Sequence, residues 1–129
     1  MSVRPTAAEL VEAVRDFLER QALPALEGRN AFHARVAINA LDIVHRELGL
    51  GVAADVGEQE RLVALLGGDA VGSLEELSRE LCRRIRSGSL TLESPGLREH
   101  LWATTLARLA IDQPKYRSVA AAAEKMDRD

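Results

Sequence analysis

Arg29 and His33 stand one helical turn apart in RNAFHARVAINALDIVHREL, residues 29–48. A guanidinium grips carboxylate or phosphate through paired N–H donors, and an imidazole beside it can donate or shuttle a proton. The pair therefore suits an anionic ligand group. On a helical wheel with Val36 as zero, Phe32, Ala40 and Ile43 fall within roughly 40°. Arg29 and Glu47 lie at roughly 20° and His33 at roughly 60°. Three ionisable groups thus share an otherwise apolar arc. Arg35, Asp42 and Arg46 gather on the opposite edge as an ordinary wet face. Glu47 is more than about 20 Å along the axis from Arg29, beyond direct reach. The structural alternative has Arg29 snorkelling to water at the helix start and His33 donating to a backbone carbonyl in a tight helix crossing.

Possible partners lie in LWATTLARLAID, residues 101–112. Thr104, Thr105, Arg108 and Asp112 cluster on one face, while Trp102, Leu106, Leu109 and Ala110 share the other. If the helices carrying these two segments pack antiparallel, Arg29, His33, Asn39 and Arg108 line one polar cleft, with Thr104, Thr105 and Asp112 in support. The alternative is a solvated face of normal amphipathicity, with Trp102 as a core anchor. Arg79, Arg83 and Arg86 line another helix, as an anion patch or as charges balanced by Glu75, Glu76 and Glu80. Cys82 sits beside a buried stripe and reads as a small hydrophobe. His33, His45 and His100 show no zinc-ligand spacing. No nucleophile elbow, phosphate loop or dinucleotide fingerprint is present, so no cofactor or metal is expected and no common enzyme class is indicated.

The elements that must position these groups read as helices. Thr6 and Glu9 form a capping box ahead of Leu10, Val11, Val14, Phe17 and Leu18, and Pro24 ends or kinks that first helix. A second helix is expected from about Asn30 to Leu48, stopped by Gly49 and Gly51. A third should cover Glu58 to Leu66. Ser73 and Glu76 open a fourth that buries Leu74, Leu77, Leu81 and Ile85, with Gly88 as its C-cap. Residues 89–93 read as an extended connector. Ser94–Pro95 opens a fifth helix running to about Asp112. The expected fold is an all-α, single-domain bundle of about five helices over residues 1–116. Residues 117–129 form a C-terminal tail, frayed or disordered. Residues 49–57 and 67–73 are the expected mobile loops.

Composition agrees. The 129-residue chain is 47% hydrophobic but only 3% aromatic, which favours helices packed through Leu, Val, Ile and Ala over a sheet. A net charge of −3 offers no field for phosphate backbones, so no nucleic acid is expected. One cysteine excludes an internal disulfide. No apolar run is long enough to span a membrane, and residues 1–10 lack a signal-peptide core, so a cytoplasmic protein is expected.

Several segments resemble a bacterial family of all-helical domains of unknown function. They are RPTAAELVEAVRDFL (4–18), LPALEGRNAFHARVAINAL (23–41), IVHRELGLG (43–51), LCRRIRSG (81–88) and LWATTLARLAIDQPKY (101–116). The most specific is FHARVAINAL. Members of the family are often encoded beside acyl-CoA dehydrogenases and aminoglycoside-phosphotransferase-like kinases. The resemblance implies a setting in acyl-CoA metabolism, and it brings no catalytic residues. Two functions are therefore expected as alternatives. One is a small helical accessory module that binds such an enzyme and forms a homo-oligomer. The other is a binding protein or enzyme for an anionic small molecule, an acyl-CoA or a phosphorylated metabolite, in the polar cleft described above.

Overall fold

A computed structural model describes residues 4–68 and 70–116. Within them the elements are helical: α1 (Ala7–Phe17), α2 (Gly28–Leu66), α3 (Leu74–Ser87) and α4 (Leu97–Asp112). The expected tail, 117–129, lies outside the described residues. The chain packs as two units that divide between Gly51 and Val52. Residues of α2 contribute to both.

In the first unit, Thr6 accepts from the Glu9 N–H at 3.1 Å and the Glu9 carboxylate takes the Thr6 N–H, closing the capping box. After α1 the chain widens into a π turn, Leu18–Ala22, then tightens into a 3-10 turn, Leu23–Ala25, carrying Pro24. That is the break Pro24 dictates, because its nitrogen has no hydrogen to give. Gly28, at φ +59°, turns the chain into α2. Arg15 ties α1 to α2: its Nε donates to Asp42 Oδ1 at 2.8 Å, and it also pairs with Glu19 and Asp16. His45 Nε2 stands 3.8 Å from Glu12 on the same seam. Asp42, Glu19 and Asp16 raise the Arg15 pKa, the Asp42 hydrogen bond most.

Among the described residues four α-helices form where five helices were expected, because Gly49 and Gly51 do not stop α2. Neither has a positive φ. A helix-interior glycine costs only about 1 kcal/mol, and no proline intervenes. The expected second and third helices are therefore one 39-residue element, and the loop expected at 49–57 is helix. Its true stop is Gly67, at φ +118°, whose N–H bonds back to the Val63 carbonyl.

The second unit holds the larger core, with Leu62 and Leu66 of α2, Leu77 and Leu81 of α3, and Leu97 of α4 buried together. Val63, Leu65, Ala70, Leu74 and Leu90 pack around them. Ser73 caps α3 by accepting from the Glu76 N–H, and Gly88 ends it at φ +84°. Arg84 reaches across from α3 to donate to the Leu66 carbonyl at 3.0 Å, satisfying an orphan acceptor at the end of α2. Ile85 was expected inward but is exposed, one position too far around the α3 stripe. The fourth helix of the fold starts at Leu97 rather than at Pro95. Gly96 supplies the turn at φ +87°, and a Cβ there would lie 3.2 Å from Leu65 Cδ2, so glycine also permits the close approach of α4 to α2.

Candidate functional site

The face of α2 that carries Phe32, Val36 and Ala40 points to solvent. Phe32 is 59% and Val36 49% exposed, and Val44 and Leu48 are exposed beyond them. The buried residues of this part of α2 are Ala31, Ala34 and Ile38. The expectation that the Phe32–Ile43 arc packs inward is thus corrected: two alanines and Ile38 form the inner row, and Ile43 is only half-buried. Arg29, His33 and Asn39 are all exposed. His33 stacks edge-on against Phe32, with ring centroids 5.6 Å apart and planes at 68°. On α1 a second apolar row, Leu10, Val14 and Phe17, is also exposed.

The expected site residues divide between the two units. Arg29, His33 and Asn39 belong to the first, and Thr104, Thr105, Arg108 and Asp112 to the second. Thr105 Oγ1 donates to the Leu101 carbonyl, one turn back. Arg108 Nε donates to Asp112 Oδ2 at 2.9 Å, whereas Asp112 Oδ1 is shielded from water without a donor among the described residues. Trp102 is exposed, not a core anchor. With Thr105, Leu109, Gln113 and Tyr116 it lines a shallow open groove.

Thr104 leads to a polar cluster that periodicity did not reveal. Arg61, on α2, donates Nε to His100 Nδ1 at 3.1 Å and Nη2 to Thr104 Oγ1 at 3.2 Å. His100 is only 3% exposed. Accepting at Nδ1 places the proton of the neutral imidazole on Nε2. Burial, and secondly the Arg61 charge, lower the His100 pKa below its ordinary value of 6.5. Both partners of Arg61 are neutral acceptors, and among the described residues no carboxylate pairs with it. They occupy the Nε–Nη2 edge of the fork. The Nη1 edge runs beside Gly57, where an added Cβ would stand 3.4 Å from Nη1. A half-buried guanidinium held in this way is oriented to receive an oxyanion on its remaining donors. The available sequence signal was isolation: Arg61 is the one basic residue between Arg46 and Arg79.

Three of the four arginines of α3 are balanced. Arg79 pairs with Glu75, and Arg83 and Arg84 both pair with Glu80, whose pKa they lower. Cys82 is exposed, so it does not pack as the small hydrophobe expected. No group of residues able to hold a metal ion occurs among those described, and no helix among them is long and apolar enough to cross a membrane.

Residues 24–116 match the sequence profile of a domain of unknown function, DUF6285. The chain belongs to this family. The match takes in α2, α3 and α4, including the FHARVAINAL segment and the Arg61–His100 cluster, and begins after α1. The family likeness drawn from Arg4–Leu18 therefore lies outside the matched residues. No curated protein and no solved structure matches the chain.

Proposed function

We propose that this DUF6285 chain is a small helical interaction module that docks onto an enzyme of bacterial acyl-CoA metabolism. Its partner would be an acyl-CoA dehydrogenase or a phosphotransferase-type kinase in the cytoplasm. The observation that carries the reading is the outward apolar face of α2, headed by Phe32 and Val36. Large apolar side chains grouped on one exposed face are the usual mark of a docking surface. The metabolic setting rests on the family's resemblance-derived gene neighbours alone. Biolayer interferometry against each purified enzyme tests it. Binding is expected with at least one, and it should be lost in Phe32→Glu and Val36→Glu, whose exposed sites leave folding intact. A chain that binds neither enzyme refutes the proposal.

Arg61 favours a second reading, in which the chain binds an anionic small molecule such as an acyl-CoA or a phosphorylated metabolite. The support is a half-buried cation with neutral partners only. A ligand that binds only the native state raises the melting temperature, so a thermal-shift screen with inorganic phosphate, acyl-CoAs and nucleotides checks this reading. A shift should appear in the wild type and vanish in Arg61→Met. No shift with any of these probes, or one unchanged in Arg61→Met, removes Arg61 from consideration.

A further inference from the structure

The exposed face of α2 is self-complementary. Arg29, Val36 and Ile43 recur at intervals of seven, and Phe32, Ala40 and Glu47 fall on the same arc. Seven-residue spacing is the seam of paired helices. One cation stands at the start of the arc and one anion at its end, 18 residues on, about 27 Å along the axis. In a second copy running antiparallel, with a two-fold axis at the level of residue 38, Arg29 meets Glu47 of the partner at both ends. Between them Val36 faces the other copy's Ala40, and Phe32 lies level with its Ile43 and Val44. A large side chain opposes a smaller one at each layer. A parallel pairing would instead set Arg29 on Arg29 and Glu47 on Glu47.

We infer that the chain forms an antiparallel homodimer through this face of α2. The inference rests on the reading of the face as a docking surface and sets a second copy there in competition with the enzyme. The two-fold is what makes a single patch sufficient, since an isologous interface uses the same residues on both subunits. Phe32 supplies the aromatic anchor near each end, and the Arg29–Glu47 pairs form the rim that sets register and direction. Arg29 and Glu47 are both exposed in the single chain, as such a rim requires.

Sedimentation velocity of the full chain over a wide loading range provides the test, with circular dichroism confirming that each variant is folded. The wild type should dimerise, and Val36→Glu should be monomeric at loadings where the wild type is paired. Arg29→Glu or Glu47→Arg puts like charges at both ends and should weaken the dimer about tenfold. The double variant should restore affinity to within about threefold of the wild type, because each swapped charge again meets its opposite. Arg29→Glu combined with Glu60→Arg restores net charge away from the seam and should not rescue. A wild type that stays monomeric overturns the inference, as does a dimer indifferent to Val36→Glu or a charge swap without rescue. A monomeric wild type that still binds a purified acyl-CoA dehydrogenase through Val36 overturns the homodimer while leaving the docking reading in place.

Discussion

Replacing Arg61 by methionine keeps the aliphatic stem and removes every donor. His100 then loses the N–H that Nδ1 accepts at 3.1 Å, in a position only 3% exposed. An orphaned buried acceptor costs about 1–3 kcal/mol. Thr104 also loses its donor, but it is half-buried and can turn to water, adding less than about 1 kcal/mol. The expected loss is therefore about 2–3 kcal/mol, or about 8–12 °C in melting temperature for a chain of this size. Urea denaturation followed by Trp102 fluorescence measures it in the right place, since Trp102 is the sole indole and lies on the same helix as His100. The cost comes from the unpaired imidazole rather than from the lost guanidinium itself. Adding His100→Leu to Arg61→Met should consequently recover part of the loss, because a pair of apolar groups leaves nothing unsatisfied. A loss below about 0.5 kcal/mol, or a double variant whose cost equals the sum of the singles, refutes this account.

Acid should weaken the second unit through the same contact. Burial and the Arg61 charge hold His100 below its ordinary value, so the unfolded chain takes up the proton first. The stabilisation is complete above about pH 6.5 and is lost as pH falls through the lower folded-state value. Urea midpoints measured from neutral to acid pH should fall on that side, and His100→Asn, which keeps an acceptor for Arg61 without titrating, should flatten the slope. Leu62 is fully buried among Leu66, Leu77, Leu81 and Leu97, so Leu62→Ala should cost about 3–5 kcal/mol by the same denaturation assay. A cost under about 1 kcal/mol would mean the core closes over the gap. Arg15→Ala removes the bonds to Asp42 and Glu19, and faster amide exchange across α1 should follow, with α3 unaffected.

Local chemistry written within a few residues was open to reading from the sequence. The Thr6–Glu9 box, the Ser73 cap, the Gly88 stop and the end of α4 at Asp112 each depend on groups one turn apart. Gly49 and Gly51 misled because glycine is a permissive residue, not an obligatory stop. Gly67 does end the helix, but only with a positive φ and with Arg84 of α3 supplying a donor for the Leu66 carbonyl. That donor comes from 18 residues away. Arg61 and His100 are 39 residues apart, and neither belongs to a spaced motif. Periodicity correctly marked residues 29–48 as having an apolar arc. It could not say which of two arcs meets a neighbour, since Ala31, Ala34 and Ile38 are as periodic as Phe32, Val36 and Ala40. The arc centred on Val36 is the one that faces water.

That inversion bears on function. Residues buried in a helix are explained by the contacts they make, and those on its outer face ordinarily follow helix preference and solubility. Phe32, Val36, Val44 and Leu48 satisfy neither account. Phenylalanine and valine are poorer helix formers than glutamate, lysine or arginine, so local propensity argues against Phe32, Val36 and Val44 on a solvated face. Water contact argues against all four, each leaving apolar area exposed that a polar side chain would not. Leu48 is a good helix former, and propensity alone would permit it there, yet it extends the same exposed row. A set of side chains that costs stability in the isolated chain is accounted for when a second surface removes it from water. The matched pair of Arg29 and Glu47 at the ends of that row then specifies how a second α2 would lie.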